Sequence, residues 1–211
     1  MYKRQTLFYA DTFNGPNTPD IQGTAPFFGP NYGFASQSYG NPGLNGTSGL
    51  IAYTFDNIFS TTFATLPVEV LEPVPMNSTS FSFDLLKLGD PSFSYRSQSM
   101  GITSSNGASL SIGHSMGTPE DPTERTSLAF YPNNGDDPTL GFVQSTIAQG
   151  AIQEIGGTVS GNALELLING EVVWSGVGAV SMTDIASLGL SIDDNNSCLL
   201  YTSPSPRDAH E

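Results

Sequence analysis

The chain has 211 residues, with six basic and 20 acidic side chains and a formal net charge of −14. Binding to nucleic acid or to an anionic membrane surface needs clustered Lys and Arg, so the composition argues against both partners. One Cys and two His also exclude an internal disulfide, a thiolate metal site and a metal site built on several imidazoles. No apolar run reaches the roughly 20 residues needed to cross a bilayer.

The two terminal segments resemble translated sequencing adapter. Met1-Tyr2-Lys3-Arg4-Gln5 and Cys198-Leu199-Leu200-Tyr201-Thr202-Ser203 are similar to the two strands of one transposon-end adapter, each translated in frame. We therefore expect residues 1–5 and 198–211 to be non-native and residues 6–197 to be one β-sandwich domain, cut at both ends. That native segment would contain three basic and 18 acidic residues, no Cys, and His114 as its one histidine.

The first third of the chain alternates between strands and turn-rich stretches. Alternation over 7–13 predicts a strand, and the frequent Gly and Pro of 14–49 predict a long surface connection. Further strands are predicted at 50–55 and 61–70. The clearest strand of this region is 80–88, SFSFDLLKL, because its large apolar residues recur at every second position.

Within that strand, Phe81, Phe83 and Leu85 are predicted to face the core, with Ser82 and Asp84 on the opposite face. The next two strands, 99–103 and 108–113, flank Asn106-Gly107, a hairpin signal.

The second half of the chain continues the same pattern. Strands are predicted at 126–131, 140–145, 147–155 and 188–192. A strong hairpin over 162–175, NALELLINGEVVWS, closes on Asn169-Gly170. A short helical turn is predicted over 182–187, with Ser181 as its cap.

About a dozen short strands without interleaved helices predict an all-β, two-sheet antiparallel β-sandwich or jelly roll. Asp11-Thr12-Phe13-Asn14, the hairpin from Ala163 to Trp174, and Ile185-Ala186-Ser187-Leu188-Gly189-Leu190 resemble the concanavalin A-like lectin/glucanase superfamily, in particular LamG-type domains of secreted bacterial proteins. The resemblance implies a concanavalin A-like jelly roll, located outside the cell or on its surface. It does not imply one function, because a fold hosts many.

The sequence contains neither the carboxylate motif of glycanases nor the serine motif of hydrolases. Glycanases of the superfamily carry Glu-x-Asp-x-x-Glu on one strand, and no segment matches it. Glu120-Asp121-Pro122-Thr123-Glu124 has other spacing and is predicted to be a solvated turn. His114 has no Gly-x-Ser-x-Gly partner motif, so it is predicted to be a surface or hydrogen-bonded structural histidine. The sequence therefore names no catalytic residue and predicts a protein that is not an enzyme.

Two sites for ligands are hypothesised. Asn134, Asp136 and Asp137, in the turn after 126–131, offer hard oxygen ligands for calcium, although EF-hand spacing is absent and a solvated turn is the alternative. A two-residue Asn169-Gly170 turn would place Trp174 opposite Glu165. The indole ring could then stack on a sugar while the carboxylate accepts hydrogen bonds from the sugar hydroxyls. The alternative is that Trp174 fills a gap beneath the connection 14–49.

Three functions remain open from the sequence. The first is a noncatalytic extracellular recognition domain for carbohydrate or another ligand, within a larger secreted or surface protein. The second is a structural or adhesive module without small-ligand binding. The third is a divergent glycoside hydrolase or lyase, which would show convergent carboxylates. The sequence indicates neither the ligand nor the oligomeric state.

Overall fold

A computed structural model gives the fold of the chain. It describes residues 22–26, 29–33, 40–44, 50–54, 63–76, 78–87, 97–115, 123–133, 137–148, 150–193 and 197–200. These residues form β-strands, turns and extended segments and contain no helix, so none of them forms a helix that could cross a membrane. The predicted all-β class is confirmed.

One face of the sandwich is a seven-stranded antiparallel sheet with the order β1-β2-β15-β5-β10-β11-β12. Its strands are β1 (Gly40–Leu44), β2 (Leu50–Thr54), β5 (Ser78–Lys87), β10 (Ile152–Ser160), β11 (Ala163–Ile168), β12 (Glu171–Val177) and β15 (Ser197–Leu200).

The other face is a six-stranded antiparallel sheet with the order β3-β14-β6-β7-β8-β9. Its strands are β3 (Phe63–Val68), β6 (Ser97–Thr103), β7 (Ser109–Ser115), β8 (Arg125–Tyr131), β9 (Thr139–Gln144) and β14 (Ser187–Asp193). A two-stranded ribbon is formed by β4 (Val74–Pro75) and β13 (Asp184–Ile185).

The core lies between the two sheets and is built by period-two alternation. Phe83 and Leu85 are buried, and Phe81 is partly buried against the same cluster, so the predicted inward face of β5 is confirmed. The seven-stranded sheet also contributes Ile155, Val159, Leu164 and Leu166, and the six-stranded sheet contributes Leu66, Met100, Ile102, Leu110, Ile112, Leu128, Phe130, Leu188 and Leu190. Burying a large apolar side chain contributes about 1.5–3 kcal/mol, so these residues dominate the stability of the sandwich.

Two predicted elements are wrong. The strand expected at 147–155 is β10, Ile152–Ser160, because Ile147 is buried in the connection between the sheets and its N–H donates to the Glu124 carboxylate at 2.8 Å. The helical turn expected at 182–187 is replaced by β13 and the start of β14. Asp184 lies in β13 because its carboxylate accepts hydrogen bonds from the β6–β7 turn.

The closing hairpin has the predicted turn but not the predicted register. Asn169 and Gly170 have φ values of 52° and 79°, typical of a two-residue turn of type I′. Beyond it, Leu167 pairs with Val172 and Leu166 pairs with Trp174. Val173 is thus the extra residue of a β-bulge, which shifts the rest of β12 by one position.

Several predictions concern the terminal regions. Residues 1–5, 7–13 and 201–211 lie outside the described residues. Cys198, Leu199 and Leu200, assigned to adapter, form part of β15 between β2 and β5. Strand pairing does not report the origin of a segment, so the adapter assignment and the domain boundaries remain predictions.

Candidate functional site

The outer face of the seven-stranded sheet brings together polar side chains from three adjacent strands. They are Ser82 and Asp84 of β5, Glu154 and Thr158 of β10, and Glu165 of β11, and we call this set the outer acidic face. All five are partly accessible, whereas the residues that alternate with them along each strand face the core. The predicted outward direction of Ser82 and Asp84 is thereby confirmed.

Asp84 and Glu154 are direct cross-strand partners on this face. Residues paired in this way have Cβ atoms about 4.5–5.5 Å apart, so two carboxyl groups share one small region of the sheet. Partial burial is the larger cause, and repulsion from Glu154 the smaller cause, of the rise in the pKa of Asp84 to about 6. Near pH 6 this carboxyl is therefore present both as the protonated form, which donates a hydrogen bond, and as the ionised form, which accepts one.

A second polar pair lies four residues further along β10, where Thr158 is paired with Glu165 of β11. The Thr158 hydroxyl donates to Glu165 Oε2 at 2.7 Å, which fixes the orientation of that carboxylate. Between the two pairs lies Gly156, which pairs with Ser82 on one side and Leu167 on the other. Gly156 itself is buried between these two neighbours: a Cβ atom there would lie 3.4 Å from Ser82 Cβ and 3.6 Å from Leu167 Cβ.

Trp174 does not stand beside Glu165. The bulge pairs Glu165 with Ser175 and places Trp174 opposite Leu166, which is buried. Trp174 accordingly packs against the core. The predicted register is therefore wrong, because the sequence gives no sign of the extra residue Val173. Glu165 lies on the outer acidic face, and ligand binding by either residue remains a prediction.

The alternative prediction was that the connection 14–49 covers Trp174. The described residues of that connection do not lie over Trp174. The described part of 14–49 includes β1, at the opposite edge of the seven-stranded sheet from β12, and Tyr32, which is buried and bridges to Val68 of β3. Trp174 instead contacts Gly141 of β9.

The calcium hypothesis falls mainly outside the described residues, because Asn134 and Asp136 are not described. Asp137 is described and exposed. Among the described residues, no group of three or more His, Cys, Asp or Glu side chains is arranged to hold a metal. Calcium binding at this turn remains a prediction.

A polar cluster that the sequence did not predict lies inside the sandwich. Gln98, His114 and Thr126 are in register on β6, β7 and β8, and they are 0%, 1% and 0% exposed. Glu124, just before β8, is 7% exposed. The solvated turn predicted for 120–124 is thus wrong at Glu124, whose carboxylate faces the interior. One signal was present in the sequence: Glu124 stands two residues before Thr126, in the alternating series that continues with Leu128 and Phe130.

Hydrogen bonds hold this buried cluster in place. His114 Nδ1 is hydrogen-bonded to Thr126 Oγ1 at 3.0 Å, whereas His114 Nε2 approaches Glu124 Oε2 to 3.5 Å without forming a hydrogen bond to it. The same carboxylate oxygen accepts the backbone N–H of Ile147 at 2.8 Å. Of the two predictions made for His114, the hydrogen-bonded structural histidine is confirmed and the surface histidine is wrong.

Comparison with solved structures supports the fold. The chain is similar to SCLam, a non-specific endo-β-1,3(4)-glucanase from family GH16, with a TM-score of 0.57 and 10% identity over 93% of this chain and 91% of that one. A Bacillus licheniformis β-glucanase gives 0.53 and 9% over 95% and 100%. The Emp47p carbohydrate recognition domain gives 0.53 and 11% over 88% and 92%.

Sequence comparison adds no family. No protein-family model matches the chain, and no curated protein matches it. At such low identity the structural likeness establishes the fold alone. The chain is a concanavalin A-like jelly roll, as the sequence predicted, and the LamG-type assignment remains a prediction.

Proposed function

We propose that this chain is a noncatalytic carbohydrate-recognition domain that binds a glycan on the outer acidic face. The observation that carries the proposal is the placement of Asp84, Glu154 and the Thr158–Glu165 pair on one face of three adjacent strands, with all four side chains partly accessible. Carboxylates and hydroxyls on a rigid sheet are the groups that accept and donate hydrogen bonds to sugar hydroxyls.

The fold makes glycans the first ligand class to test. Two of the similar structures are β-glucanases and one is a carbohydrate recognition domain, so the same sandwich supports glycan binding elsewhere. The acidic balance of the chain favours neutral glycans over polyanionic ones, because like charges repel across an interface. We place the domain outside the cell or on its surface, in keeping with its resemblance to secreted proteins.

A glycan array tests the proposal, run with and without calcium so that a metal-dependent site is also detected. The informative variants are Asp84→Asn and Glu154→Gln. Glu171→Gln is the matched control, because Glu171 is exposed at the start of β12 and, through the pairing of Ile168 with Glu171 and with the buried Ile155, belongs to the opposite face of the sheet. We expect the two face variants to lose most of the signal and the control to keep it. Absence of any signal for the folded wild type would favour the structural or adhesive module.

A divergent glycoside hydrolase is the second candidate, and one specific observation favours it. Glycosidases use two carboxyl groups, one protonated and one ionised, about 5–5.5 Å apart in retaining enzymes. Asp84, with a pKa of about 6 beside Glu154, has the protonation behaviour expected of the acid in such a pair.

Hydrolysis is tested separately from binding. Soluble β-glucans are incubated with the protein and new reducing ends are measured between pH 5 and 7. Activity that disappears in both Asp84→Asn and Glu154→Gln, and persists in Glu171→Gln, would identify an enzyme. Binding on the array without release of reducing ends would retain the noncatalytic proposal.

A further inference from the structure

The described parts of the two main sheets end in four edge strands, and three of these edges are protected against pairing with another chain. The edges are β3 and β9 of the six-stranded sheet and β1 and β12 of the seven-stranded sheet. Proline, charged residues and β-bulges protect an edge, whose unpaired backbone groups can otherwise bind another strand. β3 contains Pro67, β1 contains Pro42, and β12 contains the bulge at Val173. Residues 31–33 also bond to the backbone of β3 at Pro67.

The fourth edge, β9, has none of these protections within the described chain. Its sequence, TLGFVQ, contains no proline and no charged residue, and its pairing with β8 runs without a bulge. Leu140 and Phe142, the two large side chains on its outer face, are 57% and 61% exposed. An uncharged, regular and apolar edge is the kind of strand to which another strand binds.

The apolar surface extends onto β12, the edge strand of the other sheet. Trp174 of β12 contacts Gly141 of β9, so the two strands lie side by side. Val172 and Val177 of β12 are 53% and 65% exposed. Because a stable interface buries about 1,200–2,000 Å² of total surface, it needs more than one short strand, and β12 supplies further apolar area.

The backbone of β9 presents its hydrogen-bonding groups in a fixed pattern. The Ser145 N–H donates to the Glu124 carbonyl at 3.2 Å, one position beyond the last pair of β8 and β9. Hydrogen-bonded and non-hydrogen-bonded pairs alternate in an antiparallel ladder, so Gly141 bonds to β8 as Ser145 does. The N–H and C=O groups of Leu140 and Phe142 therefore point toward the outer edge.

We propose that this edge is the interface of a homodimer, in which β9 pairs antiparallel with β9 of a second copy about a two-fold axis at Gly141. In this register Leu140 of each copy is the hydrogen-bonded partner of Phe142 of the other, so both large side chains gain an apolar neighbour. A shift by one residue would place outward side chains opposite inward ones. A shift by two residues would pair Phe142 with Pro138, which has no N–H, or Leu140 with the polar Gln144.

The charges near β9 favour a second copy as the occupant. The proposed register places Pro138 of one copy opposite Gln144 of the other, and Gln144 pairs with Arg125 of β8. The backbone of Asp137, next to Pro138, then lies two strands, or about 10 Å, from that of Arg125 in the second copy. This opposite-charge pair occurs at both ends of the interface and offsets part of the repulsion between two chains of net charge −14.

The dimer does not depend on the proposed function, because β9 and the outer acidic face belong to different sheets. Pairing through β9 leaves both outer acidic faces open. If each face binds a glycan, the dimer holds two sites in one particle, which raises the affinity for a ligand that carries repeated epitopes.

Sedimentation equilibrium of the full wild-type chain, from micromolar to submillimolar concentration, tests the proposal. We expect the mass to rise from that of one chain to that of two as the concentration increases. A wild type that stays monomeric over this range would overturn the proposal and would leave the edge to a strand of a different protein.

Phe142→Lys tests whether β9 forms the interface. It should raise the dissociation constant by at least about 30-fold, because an ammonium group would be desolvated opposite Leu140. Ile152→Lys is the matched control: Ile152 is 57% exposed on β10, an inner strand of the other sheet, and its replacement should change the constant by less than about threefold. Circular dichroism checks that both variants are folded. Wild-type affinity in a folded Phe142→Lys variant would overturn the proposal.

Cysteine cross-linking tests the register without a charged substitution. Cys198, the one cysteine of the chain, is first replaced by serine, and Leu140→Cys protein is then mixed with Phe142→Cys protein. Hydrogen-bonded partners have Cα atoms about 5.5 Å apart, within the range of a disulfide, whereas identical positions on the two copies are two residues out of register. Mild oxidation should therefore link the mixture and neither variant by itself. A mixture that does not link, or a single variant that links equally well, would overturn the two-fold axis at Gly141.

Discussion

Trp174 of β12 occupies the space that a side chain at Gly141 of β9 would need. A Cβ atom built on Gly141 would lie 2.2 Å from Trp174 Cδ2, and one built on Gly176 would lie 2.3 Å from Trp174 Cη2. The indole therefore closes the sandwich between the edge strands of the two sheets, and it can do so only because both neighbouring positions are glycine.

Gly141→Ala should destabilise the domain by about 1–3 kcal/mol, because the added methyl group forces the indole or a strand to move. Chemical denaturation measures the change in the free energy of unfolding. Gly189→Ala is the matched control, since a Cβ atom at Gly189 of β14 would meet nothing within 4 Å. In a Trp174→Leu background the cost of Gly141→Ala should fall, and an unchanged cost would show that the indole is not the obstacle.

Local patterns in the sequence predicted most of the fold. Alternation identified β5 and its inward residues Phe83 and Leu85, because one buried face imposes a period of two on any strand. The Asn169-Gly170 turn was predicted correctly for a related reason: type I′ turns need positive φ at both central positions, which Asn and Gly tolerate.

Features that depend on contacts distant in sequence could not be predicted. Val173 is an ordinary strand residue, and nothing near it marks a bulge; the extra residue is accommodated because it allows Trp174 to reach Gly141. Glu124 looked solvated because its neighbours are Pro and charged residues, while its partners, His114 and Ile147, lie 10 and 23 residues away. The pairing of Asp84 with Glu154 could likewise not be predicted, because it depends on the order of the strands in the sheet.

Asp84 should make the stability of the domain fall as the pH rises from about 4 to about 6. Its pKa is raised from 3.8 to about 6 in the folded protein, so in this interval the folded state binds more protons than the unfolded state. Asp84→Asn keeps a neutral side chain, and above pH 6 it should be more stable than wild type by roughly 1–2 kcal/mol after allowance for solvent screening.

Urea denaturation at several pH values between about 3 and 7.5 measures this difference, with Asp137→Asn, at an exposed position, as the control. The Asp84→Asn advantage should shrink as the pH falls toward 4 and vanish below about pH 3, where the wild-type carboxyl is protonated in both the folded and the unfolded state. An advantage that is the same at every pH would contradict the assigned cause.

Asp184 should have the opposite dependence. Its pKa lies below the usual 3.8, chiefly because the Ser105 backbone N–H donates to it, with a further hydrogen bond from Ser104. The carboxylate therefore stabilises the β6–β7 turn above pH 3.8, and this stabilisation is lost as the pH falls through the lowered value.

Asp184→Ala should lower the free energy of unfolding at pH 7 by roughly 1 kcal/mol, because these hydrogen bonds are partly exposed to solvent. The comparison is thermal denaturation at pH 7 and at pH 2.5, with Glu171→Gln as the control. A difference between wild type and Asp184→Ala that is as large at pH 2.5 as at pH 7 would exclude the charge as its source.

The terminal segments provide the last prediction, in which two truncations are compared. Removing residues 1–5 and 203–211 should leave the melting temperature within about 2 °C of the full chain, because a peripheral segment that was not selected to pack contributes less than about 0.5 kcal/mol.

Removing 198–211 also deletes most of β15, in which Leu200 pairs with Asp84. This second truncation should expose Asp84 and lower its pKa toward 3.8, so that the fall in stability between pH 4 and 6 becomes smaller. Denaturation of both truncated proteins across that range measures the effect. A large drop in melting temperature for the first truncation would mean that the terminal residues belong to the native structure, and an unchanged pH dependence in the second would mean that β15 does not cover Asp84.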